Sequence, residues 1–148
     1  MFELLSNSPQ ETSAIGKSIA EHLSFGSIVA LHGTLGSGKT CLSKGISLGL
    51  GITENITSPT YTIINEYPLH LPSRPELCKL YHIDAYRLND DKDFEEIGGL
   101  EIIHGNGICI IEWSERIKNS IPESAITVFI HITGPHSRTI TISGIEKI

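Results

Sequence analysis

Between His32 and Thr40 the chain reads HGTLGSGKT, and these residue types at this spacing suit one kind of chemistry. Gly33, Gly38, Lys39 and Thr40 complete the pattern GxxxxGK followed by Ser or Thr, a phosphate-binding loop wherever it joins a strand to a helix. Glycines let successive backbone N–H groups curl around an anion with no Cβ in the way, at the positive end of the next helix. Lys39 would reach the β and γ phosphates, and the Thr40 hydroxyl would sit on Mg²⁺. The chain's own composition yields about 0.01 chance matches to the pattern. An ordinary glycine-rich turn with a solvent-facing lysine is the weaker reading, and the chain is expected to bind a nucleoside triphosphate.

Other groups able to serve that chemistry lie further along. Asp84 ends the apolar run ELCKLYHID, and a carboxylate at the C-terminal end of a strand in an open α/β sheet points into the ligand crevice. It is a candidate to hold Mg²⁺ through water or to orient the attacking water. His82 shares its face, either as a catalytic group or as a hydrogen-bonded strand histidine. Glu112 ends ICIIE, from where it could reach a metal beside Thr40 or cap the next segment through Arg116. The hydroxyl cluster Thr57, Ser58, Thr60 and Thr62 lies about twenty residues past the loop, the distance of a γ-phosphate-ordered switch in GTPase-like proteins. It reads equally as a threonine-rich strand edge.

The elements that must position these residues follow from periodicity. SIVALH is a short β-favouring run before the loop, and TCLSKGISLGL after it has helical apolar spacing. Upstream, Ser8 is a candidate N-cap with Pro9 at the first helical position, and Ile15, Ile19 and Leu23 line one face. Thr12 on that helix could border a base pocket. The residues before Ser8 read as a short polar segment. TIINEY alternates as a strand after Pro59, and HLPSRPE reads as an exposed connector. The stretch from Asn89 to Gly107 looks like a short acidic helix, a glycine turn and a second short helix. Its carboxylates Asp90, Asp91, Asp93, Glu95 and Glu96 read as a solvated face. ICII is apolar throughout, as central parallel strands are. The tail from Ala125 to Gly144 reads as an antiparallel hairpin at the sheet edge, in which Arg138 and His131 carry no assigned chemistry.

The whole chain, 148 residues with 39% hydrophobic and 19% charged, has the size and composition of one globular α/β domain. A net charge of −6 argues against binding nucleic acid through its own basic face, though a partner could carry the nucleic acid. Cys41, Cys78 and Cys109 are an odd number without zinc spacing, and the latter two read as buried thiols in a reducing compartment. With no signal-peptide pattern and no apolar run near membrane length, a soluble, cytoplasmic protein without a membrane partner is expected.

Taken together, GTLGSGKT, SPTYTIINEY, YHIDAYRL and IEWSER, in this order and spacing, resemble the bacterial TsaE (YjeE) family, ATPases of tRNA threonylcarbamoyladenosine synthesis. The resemblance runs from about Thr12 to the C-terminal hairpin. It implies a three-layer P-loop NTPase fold with a mainly parallel central sheet, ATP and Mg²⁺ as cofactors, and slow hydrolysis by the chain alone. It implies action with TsaB and TsaD, with tRNA reached indirectly through the complex. By motif match, Gly33 and the run Leu35, Gly36, Ser37, Gly38, Lys39, Thr40 and Cys41 hold the nucleotide. Thr40 and Glu112 ligate Mg²⁺, and Asp84 and Lys39 are catalytic. Thr60 belongs to a switch-like loop, Trp113 lies near the nucleotide, and the Thr12 region lies near the base.

Two departures stand out: Thr34 replaces the acid frequent in the family, and the HLPSRPE connector is long while the hairpin ends early. They bear on partner surfaces more than on the phosphate positions. A small-molecule kinase would need an arginine-rich lid, and only four scattered arginines occur. A GTP switch would need a guanine-reading NKxD-type strand end, which is missing. A non-hydrolysing nucleotide-bound adaptor stays open.

Overall fold

The structure is a computed structural model and describes residues 1–57, 63–70 and 78–148. In chain order it contains strand β1 (Phe2–Ser6), helix α1 (Pro9–Ala20), β2 (Ile28–Gly33), α2 (Lys39–Gly49), β3 (Ile64–Leu69) and β4 (Cys78–Asp84). The short helices α3 (Asp91–Glu96) and α4 (Gly99–Ile103) follow, then β5 (Ile108–Glu112), β6 (Ile126–Ile132) and β7 (Arg138–Ser143). One seven-stranded sheet takes the order β1-β7-β6-β2-β5-β4-β3.

β5 is buried along its whole length, and β2 is buried over its first four residues. Such strands need helices over both faces, and they have them. On one face α1 and α2 contribute Ile19, Leu42 and Ile46 to a core with Val29, Leu31, Ile110 and Val128. On the other, Phe94 and Ile103 from α3 and α4 pack against Ile28, Ile83 and Ile111. Full burial of Phe94 contributes about 1.5–3 kcal/mol and seats α3 on the sheet.

α1 begins as its sequence predicts. The Ser8 hydroxyl accepts from the Glu11 N–H at 3.1 Å, Pro9 follows, and the Glu11 carboxylate accepts from the Asn7 N–H at 2.7 Å. α1 and α2 then touch backbone to backbone. A Cβ on Gly16 would stand 2.5 Å from the Leu42 carbonyl, and one on Gly45 would collide with the Ser13 carbonyl. That close approach places Thr12 beside the first turn of α2.

The sheet departs from the expected architecture in two respects. β6, β2, β5 and β4 are mutually parallel, but β3 on β4, β7 on β6 and β1 on β7 are antiparallel, so the whole sheet is mixed rather than mainly parallel. The hairpin β6–β7 is also not at the edge, because β1 covers β7. Residues Phe2 to Ser6, expected to be a polar lead-in, alternate in burial and insert Phe2 and Leu4 against the core. A five-residue strand with two inward apolar side chains is too short for its period to stand out. Among the described residues no helix is long and apolar enough to cross a membrane.

Candidate functional site

The turn between β2 and α2 is shaped by its glycines. Gly36 and Gly38 take φ of +78° and +113°, a region that side chains with a Cβ rarely enter. The Ser37 N–H closes the turn onto the Thr34 carbonyl at 3.1 Å. Gly38 is the N-cap of α2, and no side chain among the described residues caps the helix there, so its first N–H groups lie open at the positive end of the macrodipole. Lys39, only 5% exposed, folds back so that its ammonium donates to the carbonyls of Gly33 at 2.6 Å and Thr34 at 3.0 Å. Burial holds the Lys39 ammonium below its ordinary pKa, against the opposing pull of Glu112, Glu115 and Asp84.

Register explains what gathers opposite the loop. Asp84 pairs with Glu112 across β4 and β5, and Leu31 pairs with Glu112 across β2 and β5. Alternation then puts His82, Asp84 and Glu112 on the α1–α2 face at the C-terminal rim of three parallel strands. Glu112, 3% exposed, accepts from the Thr40 hydroxyl at 3.3 Å with one oxygen and from His82 Nε2–H at 2.5 Å with the other. Donation to the carboxylate places a proton on Nε2, and His82 Nδ1 is buried without a hydrogen-bond partner among the described residues. Asp84 accepts from the Tyr86 N–H at 3.0 Å, which starts a 3-10 turn at Ala85–Arg87.

Trp113 follows Glu112 with φ +58°, an uncommon conformation for a bulky side chain. The Ser114 hydroxyl, bonded to the Leu31 carbonyl at 3.0 Å, anchors the chain just beyond it. In this pose the indole lies 4.1 Å from the Lys39 ammonium and 5.0 Å from the Tyr86 ring. Lys39, Thr40, Asp84, Tyr86, Glu112 and Trp113, with the loop, line a cavity of about 400 Å³. Thr40 and Glu112 present adjacent hard oxygens, which suits a small divalent cation whose other ligands are phosphate and water.

A second cavity of about 220 Å³ opens on the other side of the loop, between Thr12, Cys41, Pro135 and His136. Thr12 is buried and shares a 2.7 Å hydroxyl–hydroxyl bond with Ser6. The Cys41 thiol donates to the Pro9 carbonyl at 3.2 Å, and burial raises its pKa.

The family model described as "Threonylcarbamoyl adenosine biosynthesis protein TsaE" matches residues 6–140. The chain belongs to the TsaE family. It is 42% identical over 139 residues to the tRNA threonylcarbamoyladenosine biosynthesis protein TsaE of Treponema pallidum, covering 94% of this chain and 98% of that one. The protein of the same name from Bacillus subtilis is 39% identical, with 93% and 82% covered. Among solved structures, Bacillus subtilis YdiB superposes with a TM-score of 0.76 at 34% identity, over 95% of this chain and 83% of that one. TsaE proteins, by these names, take part in tRNA threonylcarbamoyladenosine biosynthesis.

Set on this TsaE chain, the residues singled out by sequence fall on both sides of one loop. Leu35, Gly36, Gly38, Lys39, Thr40, Cys41, Asp84, Glu112 and Trp113 line the larger cavity. Thr12 and Ser37 line the smaller one. Gly33 lies beneath the loop, where a Cβ would meet Ser37 Oγ at 2.5 Å. Thr60, with Ser58 and Thr62, lies outside the described residues. The carboxylate of Glu112 is committed to Thr40 and His82, while the Arg116 guanidinium sits 5.2 Å from the Tyr86 ring, so the capping alternative does not hold. Asp91 is more than a solvated face: it accepts from the Ser120 N–H at 2.8 Å and the Ser120 hydroxyl at 2.7 Å, tying α3 to the segment after β5.

Sequence reasoning missed Arg138. Its Nε–H donates to the Ser37 carbonyl at 2.9 Å and its Nη2 to the Gly36 carbonyl at 3.2 Å. The two partners are about a hundred positions apart in the chain, and no local pattern announces such a contact. The bond from His82 to Glu112 is likewise not legible in sequence, because a period-2 argument gives the face of a side chain and not its partner.

Proposed function

We propose that this chain is a Mg²⁺-dependent ATPase, a single P-loop NTPase domain that works in the cytoplasm. It would support threonylcarbamoyl modification of the adenosine beside the tRNA anticodon, acting with TsaB and TsaD and meeting tRNA through that complex. The observation that carries this reading is the convergence of Lys39, the Thr40 hydroxyl, Glu112 and Asp84 on one cavity against the loop.

On ATP binding, the Lys39 ammonium exchanges the carbonyls of Gly33 and Thr34 for β and γ phosphate oxygens, and the outward N–H groups of the α2 N-terminus receive the rest. Thr40 and Glu112 would hold Mg²⁺, which would supply positive charge against the phosphates when bound. His82 keeps the Glu112 carboxylate aimed at Thr40. Asp84 orients the water that attacks the γ-phosphoryl group, and the Trp113 indole walls the site from solvent. The base enters the smaller cavity beside Thr12.

No arginine is among the described residues lining the larger cavity, which supports slow hydrolysis in isolation and faster hydrolysis when a partner completes the charge. The test is steady-state ATP hydrolysis by the chain alone and with its cognate TsaB and TsaD, with Lys39→Ala as control. Partner-dependent stimulation that the control abolishes is expected. ATP binding without any stimulation would replace this reading with a nucleotide-bound adaptor.

A further inference from the structure

The Arg138 guanidinium is bonded entirely to backbone. Nε donates to the Ser37 carbonyl, Nη2 to that of Gly36, and Nη1 to the carbonyls of Gly134 at 3.1 Å and Ser137 at 2.9 Å. Four carbonyls, two from the loop and two from the β6–β7 turn, thus converge on one planar cation. We propose that Arg138 is a positioning residue that sets the phosphate loop in its anion-receiving shape and ties it to the hairpin turn.

Peptide geometry supplies the reason. In a trans peptide the N–H points opposite to the C=O, so a Ser37 carbonyl held on Arg138 turns the Gly38 N–H the other way. Gly36 and Gly38 at positive φ have no side chain to lock that orientation themselves, so without an external donor the peptide planes between them can flip. Arg138 supplies the donor. A guanidinium carries five N–H groups, and four are engaged here, so Arg138 cannot swing onto a transferred phosphoryl group without abandoning the loop. It acts through the loop and not on the reacting atoms. Lysine could not replace it, since a single ammonium on a flexible stem cannot span both pairs of carbonyls in one plane.

This inference rests on the nucleotide-binding reading above, and calorimetry on the wild-type chain separates the two. No ATP or ADP binding by wild type would overturn that reading. Given wild-type binding, Arg138→Met is expected to weaken ATP and ADP affinity by about 10- to 100-fold, with kcat at saturating ATP held within about threefold. Arg138→Lys is expected to stay close to Arg138→Met. Unchanged affinity in Arg138→Met overturns the proposal, as does a loss confined to kcat, which would mark a group acting on the transition state. Full rescue by lysine overturns it too, because charge alone would then suffice. A measurement on intact wild-type protein covers the case in which the variants do not fold. The Arg138 Nε–H should exchange slowly with solvent both free and with ADP bound, and fast exchange in either form refutes the brace.

Discussion

The two cavities share Gly36, Gly38 and Cys41, yet their walls differ in kind. The larger one concentrates ionisable side chains: Lys39, Asp84 and Glu112 meet there under an aromatic wall. The smaller one is walled mainly by the hydroxyl residues Ser8, Thr12 and Ser37, by Pro9 and Pro135, and by His136, and the Arg138 guanidinium beside them is spent on carbonyls. A phosphoryl-transfer site needs charges preorganised where charge develops, whereas a pocket for an uncharged base needs shape and a few hydrogen bonds. On the function proposed above, chemistry and recognition are divided by a single loop, and damage to either wall should have a different kinetic signature.

The sharpest break is expected on the charged wall. Asp84→Ala should leave ATP affinity within about threefold while lowering kcat by about 10²- to 10⁴-fold, the range for losing a positioned general base. Turnover equal to wild type would remove Asp84 from the chemistry and leave it as the cap of the Ala85–Arg87 turn. Next in size is Glu112→Gln, which keeps the shape and an acceptor for His82 but removes the charge beside Thr40. The Mg²⁺ concentration for half-maximal hydrolysis should rise by about tenfold or more. A metal titration identical to wild type would mean that Glu112 only orders Thr40 and His82.

The opposite wall should respond in stability and binding instead. Thr12→Val keeps the volume but removes the buried 2.7 Å bond to the Ser6 hydroxyl, which keeps its 2.9 Å bond to the Ser8 carbonyl, for about 1 kcal/mol of lost stability. ATP affinity should weaken while kcat at saturation is retained. A kcat loss comparable to that of Asp84→Ala would abolish the division between the walls.

How much of this was legible beforehand follows the range of the interactions. The loop, β5 and the cap of α1 are local patterns of spacing, and the structure reproduces them. Asp84 and Glu112 can be read as strand-end carboxylates because a strand's end follows from its apolar run, although their adjacency is a matter of register between β4 and β5. β1 escaped because Phe2–Ser6 offers two inward apolar side chains and gains its partner only when β7 arrives from the far end of the chain. The antiparallel sense of β3 was hidden for a similar reason, since alternation in TIINEY fixes a face and not a direction. Arg138 was invisible because nothing within the hairpin refers to Gly36 or Ser37.

The smallest expected effect concerns His32, where β2 runs into the loop. Two influences oppose each other there: burial disfavours the imidazolium, while Glu115, 3.2 Å from Nδ1, favours it. Burial is the larger, so the folded pKa lies below the ordinary value of 6.5. Between those two values the unfolded chain binds the extra proton, and stability must rise with pH. The contribution is therefore complete above about pH 6.5 and is lost as pH falls through the folded value. His32→Gln removes this titration, so the Tm of wild type should drop more steeply than that of the variant between pH 7.5 and 5. The opposite slope would mean that the Glu115 carboxylate outweighs burial and that His32 enters the loop as a cation, adding a positive charge to the anion site from the side of β2.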